Sequence, residues 1–175
     1  KGKLTTYTKT IFEGNFDNGY LIDGKVSYKN GDVFEGKRTE TKNYIGKFKY
    51  SNGLYCTGEF EDEFFRLVGK GECFYENGNR RLEGDFKDGF LVKGKSFDES
   101  GKKQFEGVWE NKKWKNGIEY FENGNKKREG NFRDGVLVKG ILYYESGKKQ
   151  FEGEFEDVGV YKQGIAYYEN GEKHL

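Results

Sequence analysis

Proline and methionine are absent from the 175 residues, histidine occurs once, at His174, and cysteine twice, at Cys56 and Cys73. A single histidine beside the end of the chain offers no framework for imidazole catalysis, and two thiols without a histidine make a poor metal site. Two cysteines are also too few for the disulfide framework of a small secreted domain, so a reduced compartment is the simpler expectation. No apolar run approaches the roughly 20 residues that a spanning helix needs, which gives no transmembrane segment. Signal-peptide patterning is missing, and the opening Lys1 in place of Met reads as an excised or processed piece whose targeting signals lie outside it. With a net charge of +1 there is no global field to draw in nucleic acid. Hydrophobic residues make up only 33%, too few Leu, Ile and Val for a thick globular core of the ordinary kind.

What the chain does contain is glycine and aromatic rings: 27 Gly, 16 Phe, 13 Tyr and 2 Trp. A disordered chain of this low hydropathy would be poor in aromatics, so disorder is rejected. Rings bury much area each and keep a usable polar edge in a half-exposed sheet. They recur in one phrase, Phe151-Glu152-Gly153-Glu154-Phe155, with echoes at Glu129-Gly130-Asn131-Phe132, Phe105-Glu106-Gly107-Val108-Trp109 and Leu82-Glu83-Gly84-Asp85-Phe86. Earlier copies are Tyr55-Cys56-Thr57-Gly58-Glu59-Phe60, Phe34-Glu35-Gly36-Lys37 and Phe12-Glu13-Gly14-Asn15-Phe16. The glycines at 14, 36, 58, 84, 107, 130 and 153 are separated by 22, 22, 26, 23, 23 and 23 residues. A fixed period of that size marks a repeat architecture.

Seven units follow, 12–33, 34–54, 55–81, 82–104, 105–127, 128–150 and 151–175, preceded by a partial unit whose run Thr5–Ile11 reads as a strand. Each unit opens with period-two alternation, one face apolar and one charged, and hence a strand with one buried face. A turn phrase such as Asp17-Asn18-Gly19 or Asp134-Gly135 comes next, then a second run such as Ile141-Leu142-Tyr143-Tyr144, then a closing turn such as Asn123-Gly124 or Ser146-Gly147. The units are therefore antiparallel β-hairpins. No segment has helical periodicity, and the fold class is all-β. A three-residue loop Ser146-Gly147-Lys148 sets Tyr143 opposite Phe151 and Ile141 opposite Gly153, with Phe155 on the same face. A two-residue loop sets Phe151 against Leu142 and sorts the faces less cleanly, so the first register is preferred. The in-facing glycines let a ring lie flat on bare backbone. Unit four is restated in unit six and unit five in unit seven, which implies duplication of a two-hairpin block. Extra residues fall around Glu63-Phe64-Phe65-Arg66 in unit three.

The pattern resembles MORN repeats. In unit three Gly58, Phe60, Gly69-Lys70-Gly71, Phe74 and Gly78 stand where that family places its residues. Elsewhere the middle Gly-x-Gly is reduced to Gly24, Gly46, Gly94, Gly117, Gly140 or Gly164, and the first aromatic is Leu82 in unit four and Arg128 in unit six, which makes the match a divergent one. The resemblance implies an elongated single sheet of about seven stacked hairpins with a period of about 23 residues, open at both ends.

It also implies a non-enzymatic scaffold with protein partners, of the kind found in ciliary, cytoskeletal or membrane–cytoskeleton assemblies, in the cytoplasm or at the membrane periphery. Neither cofactor nor catalytic residue is expected. Two features could carry binding. Basic phrases follow each turn at Arg80-Arg81, Lys102-Lys103, Lys126-Lys127 and Lys148-Lys149, a stripe that suits acidic lipid headgroups, against which Glu76, Glu99, Glu122 and Glu145 count as neutralising charge. Surplus aromatics, Phe90, Trp114, Phe121, Tyr144, Tyr161 and Tyr168, lie where alternation points them away from the main stripe. They then form an exposed apolar row that calls for a partner, unless twist buries them in a second minor core. A bacterial antitoxin-like repeat protein is a third reading.

Overall fold

A computed structural model describes residues 1–61, 65–157 and 159–174. Strands run in sequence order through one antiparallel sheet that does not close into a barrel, and the chain divides into two compact units, Lys1–Phe90 and Leu91–Leu175, which are unit one and unit two from here on, the seven sequence units being called repeats. Unit one carries β1 (Gly2–Thr5), β2 (Ile11–Asp17), β3 (Tyr20–Ser27), β4 (Val33–Arg38), β5 (Tyr44–Lys49), β6 (Tyr55–Phe60), β7 (Leu67–Phe74) and β8 (Arg80–Lys87). From β9 (Phe90–Phe97) onward, unit two carries β10 (Lys103–Glu110), β11 (Lys113–Tyr120), β12 (Lys126–Arg133), β13 (Val136–Tyr143), β14 (Lys149–Asp157) and β15 (Val160–Ala166).

Two turn types make most of the connections. Asn18-Gly19, Asp88-Gly89 and Asp134-Gly135 have positive φ at both residues, the condition of the two-residue turn whose twist suits a hairpin. Asn111-Lys112 makes the same turn without glycine. Connections from odd to even strands instead take five residues. In 144–148 the Tyr144 N–H donates to Lys148 O and the Gly147 N–H to Tyr144 O, both at 2.8 Å, and 28–32, 50–54, 75–79, 98–102, 121–125 and 168–172 repeat that pattern. Thr6–Thr10 is one of these turns, not the strand that its β-branched sequence suggests. Lys9 takes φ +64, the Thr6 hydroxyl accepts the Thr10 N–H at 3.1 Å, and Tyr7 is left 98% exposed. Side-chain capping of the backbone outweighs β propensity there. The insertion in the third repeat lies partly outside the described residues.

One row of glycines crosses each unit. Gly14 faces Gly24, Gly24 faces Gly36, and the series continues through Gly46, Gly58 and Gly71 to Gly84. In unit two it runs from Gly94 through Gly107, Gly117, Gly130, Gly140 and Gly153 to Gly164. A methyl on Gly130 would sit 2.2 Å from the Lys139 carbonyl oxygen and 2.7 Å from Gly140 Cα, and φ there is +142°. Adjacent strands thus meet at backbone. Rings also cover this row, as alternation implies. The Phe34 ring tip lies 2.6 Å from a Cβ built on Gly36, that of Phe105 2.7 Å from one on Gly117, and that of Phe151 2.6 Å from one on Gly164.

The register differs from the preferred one. Leu142, not Tyr143, faces Phe151, and Gly140, not Ile141, faces Gly153. The loop is Glu145-Ser146-Gly147, closed by the Tyr144–Lys148 bond, and a bulge beyond it moves the pairing from Tyr143↔Lys149 to Leu142↔Phe151. Further bulges accompany the two-residue turns of unit two. Between Val108 and Trp109 the pairing shifts so that Trp109 faces Trp114 while Gly107 faces Gly117. Each bulge reverses the parity of the strand beyond it.

The buried residues lie on one face of each unit, which we call the ring face. In unit one Val26, Phe34 and Phe60 have no exposure, and Phe34 meets Tyr44 and Phe60 at ring separations of 5.7 and 5.5 Å. In unit two Phe105, Phe132, Leu137, Phe151 and Phe155 form the core, with Trp109, Trp114, Leu142 and Ala166 against it. Full burial of such a side chain stabilises by about 1.5–3 kcal/mol.

Cys56 and Cys73, expected as two thiols, face each other across β6 and β7 and are joined in a disulfide. The count of two cysteines therefore no longer argues for a reduced compartment, since disulfides persist in oxidising surroundings. Bridging residues 17 apart constrains the unfolded chain by about 3 kcal/mol. Reduction, or Cys56→Ala with Cys73→Ala, should lower the urea midpoint by a corresponding amount. Gly130→Val should cost about 3 kcal/mol through overpacking and backbone strain. An unchanged midpoint would show that β12 and β13 do not meet there.

Candidate functional site

The face opposite the rings is written by the same repeat. In unit two the residue after each paired glycine of β11, β13 and β15 is isoleucine, and the residue before each glycine of β10, β12 and β14 is glutamate. Antiparallel pairing brings them into one line. Glu106 faces Ile118, Ile118 faces Glu129, Glu129 faces Ile141, Ile141 faces Glu152, and Glu152 faces Ile165. A row of alternating carboxylates and branched apolar side chains results.

Each glutamate is held by a cation three residues before it. Lys103 Nζ donates to Glu106 at 2.9 Å, Lys126 to Glu129 at 2.9 Å and Lys149 to Glu152 at 2.8 Å, while in unit one Arg80 reaches Glu83 at 3.0 Å and Glu72 at 2.8 Å. Tyrosines complete the set, with the Tyr143 hydroxyl donating to Glu129 at 2.7 Å and Tyr120 to Glu106 at 3.4 Å. Lys103 also lies over the Tyr120 ring at 4.0 Å. The hydrogen bond from Lys103 holds the Glu106 carboxyl below its ordinary range, and those from Lys126 and Tyr143 do the same for Glu129. Burial and the bond to Glu129 push the Tyr143 phenol upward. The Glu152 hydrogen bond raises Lys149.

The basic stripe is therefore largely spoken for. Of its eight residues, Arg80, Lys103, Lys126 and Lys149 hold the glutamates of the repeated phrase, Lys102 approaches Glu122 at 3.9 Å, and Lys127 holds Glu119 at 3.1 Å. Arg81 lies 6.0 Å from the Tyr75 ring centre, and Lys148 is exposed at its turn. The neutralising partners are chiefly the glutamates of the repeat, to which Glu122 before a turn adds its contact with Lys102.

The six surplus aromatics do not share one surface. Trp114 stacks on Phe105 at 4.4 Å and Tyr161 on Phe151 at 4.1 Å, both on the ring face, because the hairpin bulges reverse their parity. Phe121, Tyr144 and Tyr168 each open a five-residue turn, where Tyr144 donates its hydroxyl to Tyr167 O at 2.8 Å and Tyr168 meets the His174 ring at 4.6 Å. Phe90 is 47% exposed at the start of β9.

One arrangement leaves no trace in composition. Arg128 occupies the ring-face position that Phe12, Phe34, Phe105 and Phe151 hold in other repeats, and β11 sets Glu119 directly opposite it. Arg128 Nε and Lys127 Nζ both donate to the Glu119 carboxylate, which is 9% exposed, and Arg128 also donates to Gly135 O at 3.1 Å. The signal was the arginine in an aromatic column. Among the described residues no three His, Cys, Asp or Glu side chains are grouped to hold a metal ion, and no helix is long and apolar enough to cross a membrane.

These pKa directions fix a pH dependence. Because Glu106 and Glu129 are lowered on folding, their contribution is complete above the ordinary carboxylate value of about 4.5 and is lost as pH falls through the lowered folded values. Urea midpoints should hold near neutrality and decline below about pH 4.5, and Glu129→Gln should flatten that decline. An equal slope in the variant would remove Glu129 from the account.

Residues 67–88, 116–134 and 139–157 match the family described as MORN repeat variant. No curated protein matches the chain. Such repeats are common in protein- and membrane-binding scaffolds and are generally non-enzymatic. The matched segments each take in a facing pair of glycines of the row, Gly71 and Gly84, Gly117 and Gly130, or Gly140 and Gly153, and these three stretches, with hairpins following one another in sequence order, support a MORN-repeat protein.

Proposed function

We propose that the chain is a non-enzymatic scaffold that binds a partner protein through the Glu–Ile row of unit two. The observation that supports this is the combination on one face of cations tied to glutamates and apolar side chains left in line. Ile165 is 42% exposed, and Ile118 and Ile141 are half-buried. A surface whose charge is satisfied internally offers shape and apolar contact in place of a field, and interface cores are likewise depleted in charge. Cytoskeletal, ciliary or membrane–cytoskeleton assembly is the setting proposed for it.

Binding to anionic headgroups is the second reading, favoured by Lys148 and Arg81 but opposed by the ion pairs of the other basic residues. Crosslinking and pull-down with the full chain as bait separate the two. Ile118→Arg with Ile141→Arg should abolish capture of a protein partner while leaving the circular dichroism unchanged. Flotation with phosphatidylserine vesicles at two salt concentrations should show no retention. Salt-sensitive retention lost on reversing Lys126, Lys127 and Lys148 would establish the lipid reading in its place.

A further inference from the structure

Among the described residues Phe65 is the one buried ring that no strand supplies. It lies in the connection between β6 and β7 with φ +49 and is 9% exposed. Its ring stands 4.5 Å from Phe34 and 5.0 Å from Tyr44, on the ring face of unit one. The connection that delivers it reads Glu61-Asp62-Glu63-Phe64-Phe65, an acidic run ending in two aromatics. Unit one thus closes part of its own ring face with an aromatic side chain from an acidic segment.

Unit two has a ring face of the same kind. The connections β10–β11 and β12–β13 are two-residue turns, too short to fold back over the sheet. On that face Val136, Leu137, Leu142 and Phe155, with Lys127, Arg128 and Gly159, line a cleft of about 340 Å³. The charge of its wall is uneven. Lys127 and Arg128 share the single Glu119 carboxylate, which leaves one positive charge beside the apolar lining.

We propose that this cleft binds an acidic segment carrying an aromatic residue, supplied by a partner protein, in the manner in which the 61–66 connection places Phe65. The aromatic ring covers Val136, Leu142 and Phe155, and the acidic residues answer the excess charge of Lys127 and Arg128. The inference rests on the reading of the chain as a protein-binding scaffold but concerns the opposite face of unit two from the Glu–Ile row.

The probe is a fluorescein-labelled peptide Glu-Asp-Glu-Phe-Phe, titrated into the full chain and followed by anisotropy. Saturable binding is expected, weakened more than tenfold when both phenylalanines of the peptide are alanine. Val136→Asp in the protein should weaken it more than tenfold. Lys127→Gln, which leaves Arg128 on Glu119, should weaken it about two- to fivefold at low salt. Because Val136→Asp could unfold the unit, backbone amide shifts on adding peptide to the unaltered chain give an independent measure, and they should concentrate in β12 to β15. Absence of saturable binding, equal affinity in both protein variants, shifts confined to unit one, or displacement of the peptide by phosphatidylserine vesicles would each overturn the proposal. Failure here with capture by the Glu–Ile row retained would leave the scaffold reading standing, whereas loss of capture with peptide binding intact would do the reverse.

Discussion

At its paired glycines the sheet brings backbone against backbone. Where Gly130 faces Gly140, or Gly107 faces Gly117, no room exists for a Cβ on either strand, so the line of glycines is a steric requirement of the sheet. The rest follows from it. Bare backbone on one side gives Phe34, Phe105 and Phe151 a surface to lie on, so a chain with little aliphatic residue still buries rings completely. On the other side the neighbours of those glycines are fixed in register, and glutamate before one glycine must meet isoleucine after the next. Charge, apolar contact and core are set by one column of missing side chains.

Much of this was legible because it is local and repeated. The Glu-Gly-x-Phe phrase and the paired turn signals specify hairpins, and hairpins repeated at 22–26 residues specify a sheet in sequence order. Face assignment was harder. Alternation alone places Trp114 and Tyr161 away from the core, yet a bulged residue between the tight turn and the glycine pair returns both rings to it. The clue was present as a mismatch. The turn Asn111-Lys112 centres the hairpin half a residue away from the centre demanded by Gly107 facing Gly117, and only an extra residue on one strand reconciles them. Thr6–Thr10 misled for the opposite reason, since hydroxyl bonds to the backbone are invisible to a propensity scale. Cys56 and Cys73 were read by number, whereas their bridge depends on facing positions in neighbouring strands.

The candidate site divides in the same way. The cations of the stripe were visible, but not that Arg80, Lys103, Lys126 and Lys149 each answer a glutamate three residues on, because side-chain direction around a bulge is not in the sequence pattern. Glu119 gave less warning still. A carboxylate on a ring face is costly to bury unless paired, and Arg128 and Lys127 supply the pairing. Such a pair contributes little net stability compared with well-packed apolar residues, so its presence among rings fits specificity better than cohesion.

The two kinds of connection are under different constraints. Odd-to-even turns of five residues touch one another. The Ser51 N–H donates to Asp32 across turns at 2.8 Å, and Asn123 and Asn125 both donate to Glu145 O at 2.9 Å. Changing the length of one would unseat the next. Even-to-odd connections also meet, Arg66 reaching Asp88 at 3.8 Å, but they keep no single length and vary from the two residues of Asn18-Gly19 to the five of 39–43 and the six of 61–66. Evolution can therefore lengthen such an array's loops along only one margin, and that margin is where a new specificity can be grafted without disturbing the periodic frame.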